Sequence, residues 1–378
     1  MPPLRTILPA LIAATFLALT GVAAAEPVTV TDVLGRSVAV EAPVRRMILG
    51  EGRQMYFVAA LDRDDPFRRV VGWRDDLGKT DPATYKAYAA RDPKVAKIPT
   101  FGGMKEGAFD VEQAIALRPD VLFMNVESKV ASDEQRLVEK LASVGIPVVY
   151  VDFREKPMQN TEPSMRLLGK LMAKEPVAED FIAFRARAIA RVADRLAEKP
   201  PAKPLVMVER AAGYSDDCCL SFGDENFGRM VAMAGGTNLG TGLIPGTFGT
   251  VNPETIVARS PDVVIATGAE WDALVPKGAW VGLGSGSDLV EARRKLGALM
   301  KRPAFAQTKA AKDGRVHAIW HQFYNSPYQF VAVQQIAKWL HPDLFADLDP
   351  EATMRELHGR FLPLPYEPGY WVSLGPNG

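Results

Sequence analysis

The feature that most constrains the fold is a unit of thirteen residues that the chain contains twice: VEQAIALRPDVLF from Val111 and PETIVARSPDVVI from Pro253. In each copy, apolar residues at three- and four-residue spacing predict a short helix. A Pro then ends the helix, because the residue before Pro is disfavoured in the helical region. An Asp and a continuous apolar run follow. Such a run predicts a strand that is buried on both faces, as in a parallel sheet.

Further strands are predicted on either side of each copy. They lie at 46–50, 70–73 and 147–152 around the first copy, and at 205–209 and 316–320 around the second. An amphipathic helix is predicted at 133–144. Strands that alternate with helices form parallel sheets with right-handed crossovers. We therefore expect an α/β fold with two Rossmann-like lobes, one for each copy, and a ligand cleft between them.

The segment between the two lobes predicts helix rather than a flexible linker, because it is long and rich in Ala, Arg, Leu and Glu. Pro176 predicts a break in it. One helix should end near Lys174, and a second should begin at Pro176, since Pro fits the first turn of a helix. The expected organisation is a signal peptide at 1–25, an N-terminal α/β lobe at 26–156, a rigid interlobe helix at 157–199 and a C-terminal α/β lobe at 200–378.

The first 25 residues have the features of a secretory signal. Arg5 precedes an apolar, uncharged run, and the run ends in three Ala residues before Glu26. An uncleaved membrane anchor is the alternative, because the apolar run is just long enough to span a bilayer. No Cys lies at the cleavage point to accept a lipid. We expect cleavage after Ala25 and export of a soluble protein to the periplasm, without a lipid anchor.

Composition excludes one class of partner. The chain has 45 Lys and Arg and 45 Asp and Glu, so its formal net charge is zero. A nucleic-acid-binding protein usually needs a broad basic field. We therefore expect no nucleic-acid partner.

Candidate ligand contacts are the polar and aromatic residues that follow the predicted strands, because ligands of open parallel sheets bind outside the carboxyl ends of the strands. These candidates are Arg53, Trp73, Arg74, Lys105, Arg210, Tyr214, Trp271, Trp280, His321 and Tyr324. Aromatic rings stack and guanidinium groups bind oxygen atoms, so the set predicts a large, planar, anionic ligand. Only Glu51 and Glu209 are expected opposite, which predicts a net cationic cleft. The alternative is that each aromatic belongs to the core or the rim.

The sequence predicts neither a dedicated metal site nor a catalytic centre. Its four His residues lack a third ligand at recognisable spacing. A single bond from His321 or Tyr324 to a metal that a chelator already holds remains an alternative. No GxSxG, HExxH or P-loop motif is present. The adjacent Cys218 and Cys219 are compatible with a vicinal disulfide in an oxidising compartment or with two buried thiols.

Four segments carry a resemblance to a known family: TDVLGRSV, FDVEQAIALRPDVLF, FGRMVAMAGGTNLG and VNPETIVARSPDVVIA. Together they resemble the periplasmic solute-binding proteins of ABC importers for iron–siderophores, haem and vitamin B12, over residues 28–365. The resemblance implies two lobes that a rigid helix bridges, modest closure on binding and an inner-membrane permease as partner. It also implies no enzymatic activity and ligands that are chelates rather than bare ions. We expect a monomer without a permanently bound cofactor.

The chain departs from the family at the positions that dock on the permease. The resemblance implies an acidic residue on each lobe, whereas the corresponding positions hold Tyr56 and Arg229. Glu51 and Glu225 lie nearby and are candidate substitutes. The expected function is capture of a metal chelate, with a ferric siderophore, that is, an iron chelate, as the first candidate. Haem, cobalamin and nickel or cobalt chelates are alternatives, as is a chelate-processing enzyme or metallochaperone on the same scaffold.

Overall fold

Two five-stranded sheets organise the chain, and each contains one copy of the repeated unit. The structure, a computed structural model, describes residues 26–215 and 218–375. The predicted signal peptide therefore lies outside the described residues. The strands up to the first copy and just after it are β1 (Glu26–Thr31), β2 (Ser37–Ala42), β3 (Met47–Leu49), β4 (Val70–Arg74), β5 (Thr100–Phe101), β6 (Val121–Asn125) and β7 (Val148–Val151). The later strands are β8 (Leu205–Glu209), β9 (Leu220–Phe222), β10 (Thr237–Asn238), β11 (Phe248–Thr250), β12 (Val263–Gly268), β13 (Val316–Trp320) and β14 (Trp371–Ser373).

The first lobe is built on a fully parallel sheet with strand order β5-β4-β3-β6-β7. The second lobe has the order β10-β8-β12-β13-β14, in which only the β13–β14 pair is antiparallel. In both sheets the chain starts near the centre, builds outward on one side and then crosses to the other. Such a switch in strand order opens a crevice at the carboxyl ends of the central strands. Two further antiparallel strand pairs lie outside these sheets: the hairpin β1–β2, and β9–β11, whose strands are separated by α9 and β10.

Helices cover the sheets and join them. Those of the first lobe are α1 (Met55–Leu61), α2 (Asp76–Thr80), α3 (Pro82–Arg91), α4 (Val111–Ala116), α5 (Lys129–Glu134) and α6 (Leu137–Ala142). The connecting pair is α7 (Pro157–Met172) and α8 (Glu175–Glu198). Those of the second lobe are α9 (Phe227–Met233), α10 (Pro253–Arg259), α11 (Leu289–Leu299), α12 (Pro303–Ala306), α13 (Lys309–Lys312), α14 (Gln329–Leu340) and α15 (Pro350–Phe361).

The two copies of the repeat use the same local chemistry. Each contains a helix, a tight turn and a buried strand: α4 and β6 in the first copy, α10 and β12 in the second. The Asp before the strand binds the neighbouring central strand in both lobes. Asp120 Oδ2 accepts from the N–H groups of Arg45 and Arg46 at 2.7 and 2.9 Å. Asp262 Oδ2 accepts from the N–H of Leu205 at 2.8 Å. The repeated Pro-Asp pair therefore ties each crossover to the start of the strand beside it.

The prediction that the repeated strands are covered on both faces is confirmed, because every residue of β6 and of β12 is buried. Along β6, successive side chains alternate between two cores, as strand geometry requires. Val121 and Phe123 belong to a core that continues into the second lobe, whereas Leu122 and Met124 belong to a smaller core under α4 and α6.

The helical connection has the predicted break. Helix α7 ends at Ala173, which adopts a left-handed conformation with φ of 53°, and α8 begins at Glu175 with Pro176 in its first turn. Helix α8 packs against α1 of the first lobe and α14 of the second. At 24 residues and 1.5 Å per residue, it is about 36 Å long. It therefore reaches both lobes without a flexible hinge.

One predicted element differs in detail. The single helix expected at 133–144 is divided into α5 and α6, because Arg136 has a left-handed backbone with φ of 52°. Gln135 anchors this break by donating to the carbonyl oxygen of Met104 at 3.0 Å. The interruption turns Leu137 and Leu141 into the smaller core. Within residues 26–215 and 218–375, the structure has no helix of sufficient length and apolarity to cross a membrane.

Candidate functional site

A cavity of about 330 Å³ lies between the carboxyl ends of the two sheets. The first lobe lines it with Arg53, Arg74, Thr80, Lys105, Glu106, Glu127 and Arg154. The second lobe lines it with Arg210, Ala211, Tyr214, Leu220, Trp271, Leu274, His321, Gln322 and Tyr324. Eight of the ten residues expected from the sequence are brought together here. Only Trp73 and Trp280 lie elsewhere.

The two remaining tryptophans pack inside their own lobes, which differs from the expectation. Trp73 is buried against Phe67 and Tyr85. Its neighbour Arg74 lines the cleft, because successive strand residues point to opposite faces. Trp280 donates its indole N–H to the carbonyl oxygen of Val275 at 2.9 Å, which holds the ring away from the cleft.

Arg53 connects the two lobes at the base of the cleft. Its Nε binds Asp76 Oδ2 at 2.6 Å, and its Nη1 donates to the Tyr324 hydroxyl at 2.5 Å. Its Nη2 lies 3.5 Å from Glu51 Oε2. Burial alone would raise the pKa of Glu51, but the charges of Arg53 and Arg154 lower it to about 2. Two carboxylates therefore fix the position of Arg53 and neutralise its charge. Arg53 can orient a ligand through hydrogen bonds, but it does not supply an uncompensated charge.

A second buried ion pair occupies the first-lobe wall. Arg154 Nε lies 2.5 Å from Glu127 Oε2, and the guanidinium carbon lies 4.9 Å from the centre of the Tyr324 ring. Burial raises the pKa of Glu127 to about 7, against the opposing charge of Arg154, and the neighbouring Glu51 adds to the increase. Glu127 is therefore poised to gain or lose a proton near neutral pH.

Two cations of the cleft have no acidic partner among the described residues. Arg210 makes no ion pair within residues 26–215 and 218–375, and its buried Nε lacks a hydrogen-bond partner there. Its guanidinium carbon lies 5.3 Å from the centre of the Phe248 ring, and burial lowers its pKa. Lys105 likewise has no ion pair in this part of the chain. These two groups supply the positive charge that a ligand could neutralise.

The acidic residues of the cleft differ from those expected. Glu51 lies at its base, but Glu209 is directed away from it, because it binds Arg302 at 2.5 Å. Glu106 and Glu127 line the cavity instead. Arg74 binds Glu106 at 3.0 Å rather than its sequence neighbours, so part of its charge is already neutralised. The cleft remains cationic, because the cations that line it outnumber Glu106 and Glu127.

The aromatic wall belongs to the second lobe. The ring centres of Trp271 and His321 lie 5.2 Å apart, and those of His321 and Tyr324 lie 4.3 Å apart. His321 Nδ1 lies 2.8 Å from the Thr267 hydroxyl. Burial, with the charges of Arg210 and Arg53, lowers the pKa of His321 well below its usual value, so the ring is neutral. A neutral imidazole is a competent metal ligand. No group of three or more His, Cys, Asp or Glu suited to a metal ion occurs among the described residues.

Arg154 and Glu127 are not among the residues expected from the sequence. The rule that ligands bind beyond the carboxyl ends of strands nevertheless identifies both. Glu127 comes two residues after β6, the strand of the first repeat, and Arg154 comes three residues after β7. Both strands are predicted from the sequence, and Glu127 and Arg154 lie in the segments that directly follow them. The pairing of the two side chains could not be inferred, because it depends on how the loops after neighbouring strands meet.

The expected docking positions are not equivalent in the structure. Tyr56 is buried and donates its hydroxyl to Asp81 Oδ2 at 2.8 Å, whereas Arg229 is exposed. Of the two acidic substitutes, Glu51 is buried in the cleft, and Glu225 accepts from Gln159 Nε2 at 3.0 Å.

The structure joins Cys218 and Cys219 by a disulfide, which is the first of the two alternatives that the sequence left open.

Comparison with known proteins places this architecture among binding proteins. A family model described as "Periplasmic binding protein" matches residues 67–321, well over half of the chain. The molybdate-binding protein MolA of Haemophilus influenzae is 22% identical over 370 residues, which cover 90% of this chain and 92% of that protein.

Solved structures agree with this assignment. The TroA-like periplasmic binding protein FepB from Veillonella parvula superposes with a TM-score of 0.82 at 27% identity, over 92% of this chain and 100% of that one. The nickel–histidine complex of CeuE from Helicobacter pylori superposes with a TM-score of 0.66 over 90% of this chain and 96% of that one. At 19% identity the second likeness concerns the fold.

Proposed function

Because this chain belongs to the periplasmic binding protein family, we propose that it captures a compact anionic metal chelate for an ABC importer, with a ferric siderophore as the first candidate. Members of this family are transport components and not enzymes. They work with ABC permeases and act in the periplasm. We further propose that the protein is exported through its N-terminal signal and acts as a monomer.

The observation that carries the proposal is the convergence of eight predicted contacts from both lobes on one cationic cavity. Arg210 and Lys105 face this cavity without an acidic partner among the described residues. In a partly desolvated cleft, such charges attract an anionic ligand through a focused local field. This field repels a bare metal cation, whereas it attracts a metal that is enclosed by anionic donor groups.

Size favours a compact ligand. The cavity of about 330 Å³ is at the lower end of the range for small-molecule pockets, roughly 300–1,000 Å³. Haem or cobalamin would have to extend out of the cavity or hold the lobes further apart. The neutral His321 and the Tyr324 hydroxyl are placed to complete the coordination of a metal that a chelator leaves partly open.

A tetrahedral oxyanion such as molybdate is the second candidate. Arginine side chains from four different segments of the chain meet at the cavity, and guanidinium groups bind oxyanions through paired hydrogen bonds. The relative MolA, which is named as a molybdate-binding protein, supports this alternative. Binding of molybdate requires no bond from the protein to the metal, so His321 and Tyr324 would then not be needed as metal ligands.

A thermal-shift panel tests the proposal. The panel contains ferric complexes of a catecholate and of a hydroxamate siderophore, nickel–histidine, molybdate, haem and cobalamin. A ligand that binds the folded state raises the melting temperature by mass action. We expect the largest increase for a compact ferric complex, and a smaller increase with the same ligand in an Arg210→Ala variant. A response to cobalamin alone, or to none of the six, contradicts the proposal.

Export is tested separately. We propose that residues 1–25 are removed, that the mature chain begins at Glu26 without a lipid, and that it is released with the periplasmic fraction. Mass spectrometry of that fraction should give the mass of the chain from Glu26. A protein that retains Met1 and remains with the membrane would contradict this part of the proposal.

A further inference from the structure

A second groove, separate from the cleft, contains a buried arginine without an acidic partner. The groove has a volume of about 380 Å³ and lies between the start of α7, the middle of α8 and α9. It shares no lining residue with the cleft. Its walls combine two arginines, Arg185 and Arg229, with apolar side chains that include Met158, Ile189 and Met233.

Arg185 is the unusual group. Only 6% of its surface is exposed, and its Nε lacks a hydrogen-bond partner among the described residues. Its Nη2 donates to the carbonyl oxygen of Met158 at 3.0 Å. Burial lowers its pKa to about 10, and among the described residues only the charge of Glu162 opposes this decrease. Glu162 is already engaged by Arg166 at 2.5 Å. A buried charge without a counter-ion is costly, so an anion bound beside Arg185 would offset part of that cost.

Arg229 is the second arginine of this groove. It is exposed and makes no ion pair with any residue that the structure describes. The nearest acidic group on its own segment, Glu225, accepts hydrogen bonds from Gln159 Nε2 at 3.0 and 3.3 Å. Two arginines that line one groove together with apolar side chains fit a carboxylate whose short tail packs on the methionines and Ile189.

We propose that Arg185 and Arg229 form a second anion site, which takes a small organic monocarboxylate with a short apolar tail. Both guanidinium groups donate to the carboxylate. The anion compensates the buried charge of Arg185, and the tail leaves water along the apolar wall. Because Met158 belongs to α7 of the interlobe connection and Arg229 belongs to the second lobe, a bound carboxylate contacts both the connection and the second lobe.

Calorimetry with butyrate tests this site in the mature protein, in a buffer without chloride or other carboxylates. Butyramide, which has the same shape but no charge, is the matched ligand control. We expect butyrate to bind and butyramide not to bind. Arg229→Met, at an exposed position that should not affect folding, is expected to weaken butyrate binding about tenfold or more, as for the loss of one charged hydrogen bond.

Two further variants separate this site from the cleft. Arg185→Met should abolish butyrate binding, because it removes the buried charge and keeps the apolar length. Arg210→Ala should leave butyrate binding unchanged, because Arg210 lines the cleft and does not line this groove. Equal binding of butyrate to wild type, Arg185→Met and Arg229→Met overturns the proposal. Loss of binding in Arg210→Ala also overturns it, since butyrate would then occupy the cleft.

Discussion

The Nη1 atom of Arg53 donates a hydrogen bond of 2.5 Å to the hydroxyl oxygen of Tyr324, and this bond crosses from the first lobe to the second at the base of the cleft. Arg53 follows the central strand of one sheet, and Tyr324 follows a strand of the other. A second crossing bond lies beside it, from Asn325 Nδ2 to Glu51 Oε2 at 2.9 Å. The two lobes are therefore joined by buried polar contacts next to the proposed ligand site.

Replacing Tyr324 with Phe should destabilise the protein by roughly 1–3 kcal/mol, because it removes the acceptor of a charged hydrogen bond and leaves one N–H of Arg53 unpaired. Urea unfolding followed by circular dichroism measures the change. Tyr214→Phe is the matched control, since Tyr214 lines the same cavity but is 37% exposed. Equal stability of both variants would show that the crossing bond contributes nothing.

Replacing Arg210 with Ala should weaken binding of the anionic ligand by about ten- to hundredfold, the equivalent of roughly 1.5–3 kcal/mol for a charged hydrogen bond. Arg74→Ala should have a smaller effect, because Glu106 already neutralises part of its charge. Calorimetry with the best ligand from the panel gives both values. Arg187→Ala, at an exposed position of α8, is the control. If Arg210→Ala and Arg74→Ala bind as the wild type does, recognition does not depend on the cationic cleft.

The sequence predicts the fold well because its signals are local. The repeated Pro-Asp unit specifies a turn and a buried strand in each lobe, and Pro176 marks the break between α7 and α8. The division of the helix at 133–144 is not predicted, because nothing in its sequence disfavours helix at Arg136. Its left-handed backbone comes from tertiary packing, in which Gln135 binds the loop of Met104.

The sequence predicts most of the residues that line the candidate site, but it does not predict which of them pair with one another. The rule that ligands lie beyond the carboxyl ends of strands finds Arg53, Arg210 and Tyr324 from position alone. It fails to separate Trp73 from Arg74, because it ignores the alternation of side chains along β4. It also gives no information on which carboxylate neutralises which arginine. That information resides in contacts between loops far apart in sequence, as with Arg154 and Glu127.

Glu127 should make both stability and ligand binding depend on pH near neutrality. Its pKa is raised from 4.5 to about 7, so between these values the folded state keeps a proton that the unfolded state has lost. Stability therefore falls as the pH rises from 4.5 to 7. A shift of this size corresponds to roughly 3 kcal/mol at most. In Glu127→Gln this part of the pH dependence should be absent.

The affinity for an anionic ligand should also depend on whether Glu127 is protonated. Deprotonation of Glu127 adds a negative charge to the cleft, so binding should weaken as the pH rises through 7. Calorimetry at pH 6, 7 and 8 compares wild type with Glu127→Gln, and Glu106→Gln serves as control because Glu106 is largely exposed. Parallel pH profiles for wild type and Glu127→Gln would contradict the assignment of this proton to Glu127.

Ligand binding should change the angle between the lobes only slightly. Helix α8 packs on α1 and α14, and Phe181 and Phe184 contact Phe330 of α14. One hydrophobic core runs continuously from the first lobe through α8 into the second. Opening the lobes widely would break this core, at a cost that grows with the apolar area exposed. Small-angle scattering should therefore give nearly the same radius of gyration with and without ligand.

A kink in α8 provides the control for this last prediction. Ala183 is exposed on α8, so Ala183→Pro removes backbone hydrogen bonds and bends the helix without deleting a core side chain. Ala183→Gly, which costs only about 1 kcal/mol, keeps the helix continuous. We expect a larger ligand-induced change for the Pro variant than for the Gly variant or the wild type. A drop of several ångströms in the wild-type radius on binding would show that the connection acts as a hinge, despite the continuous core around it.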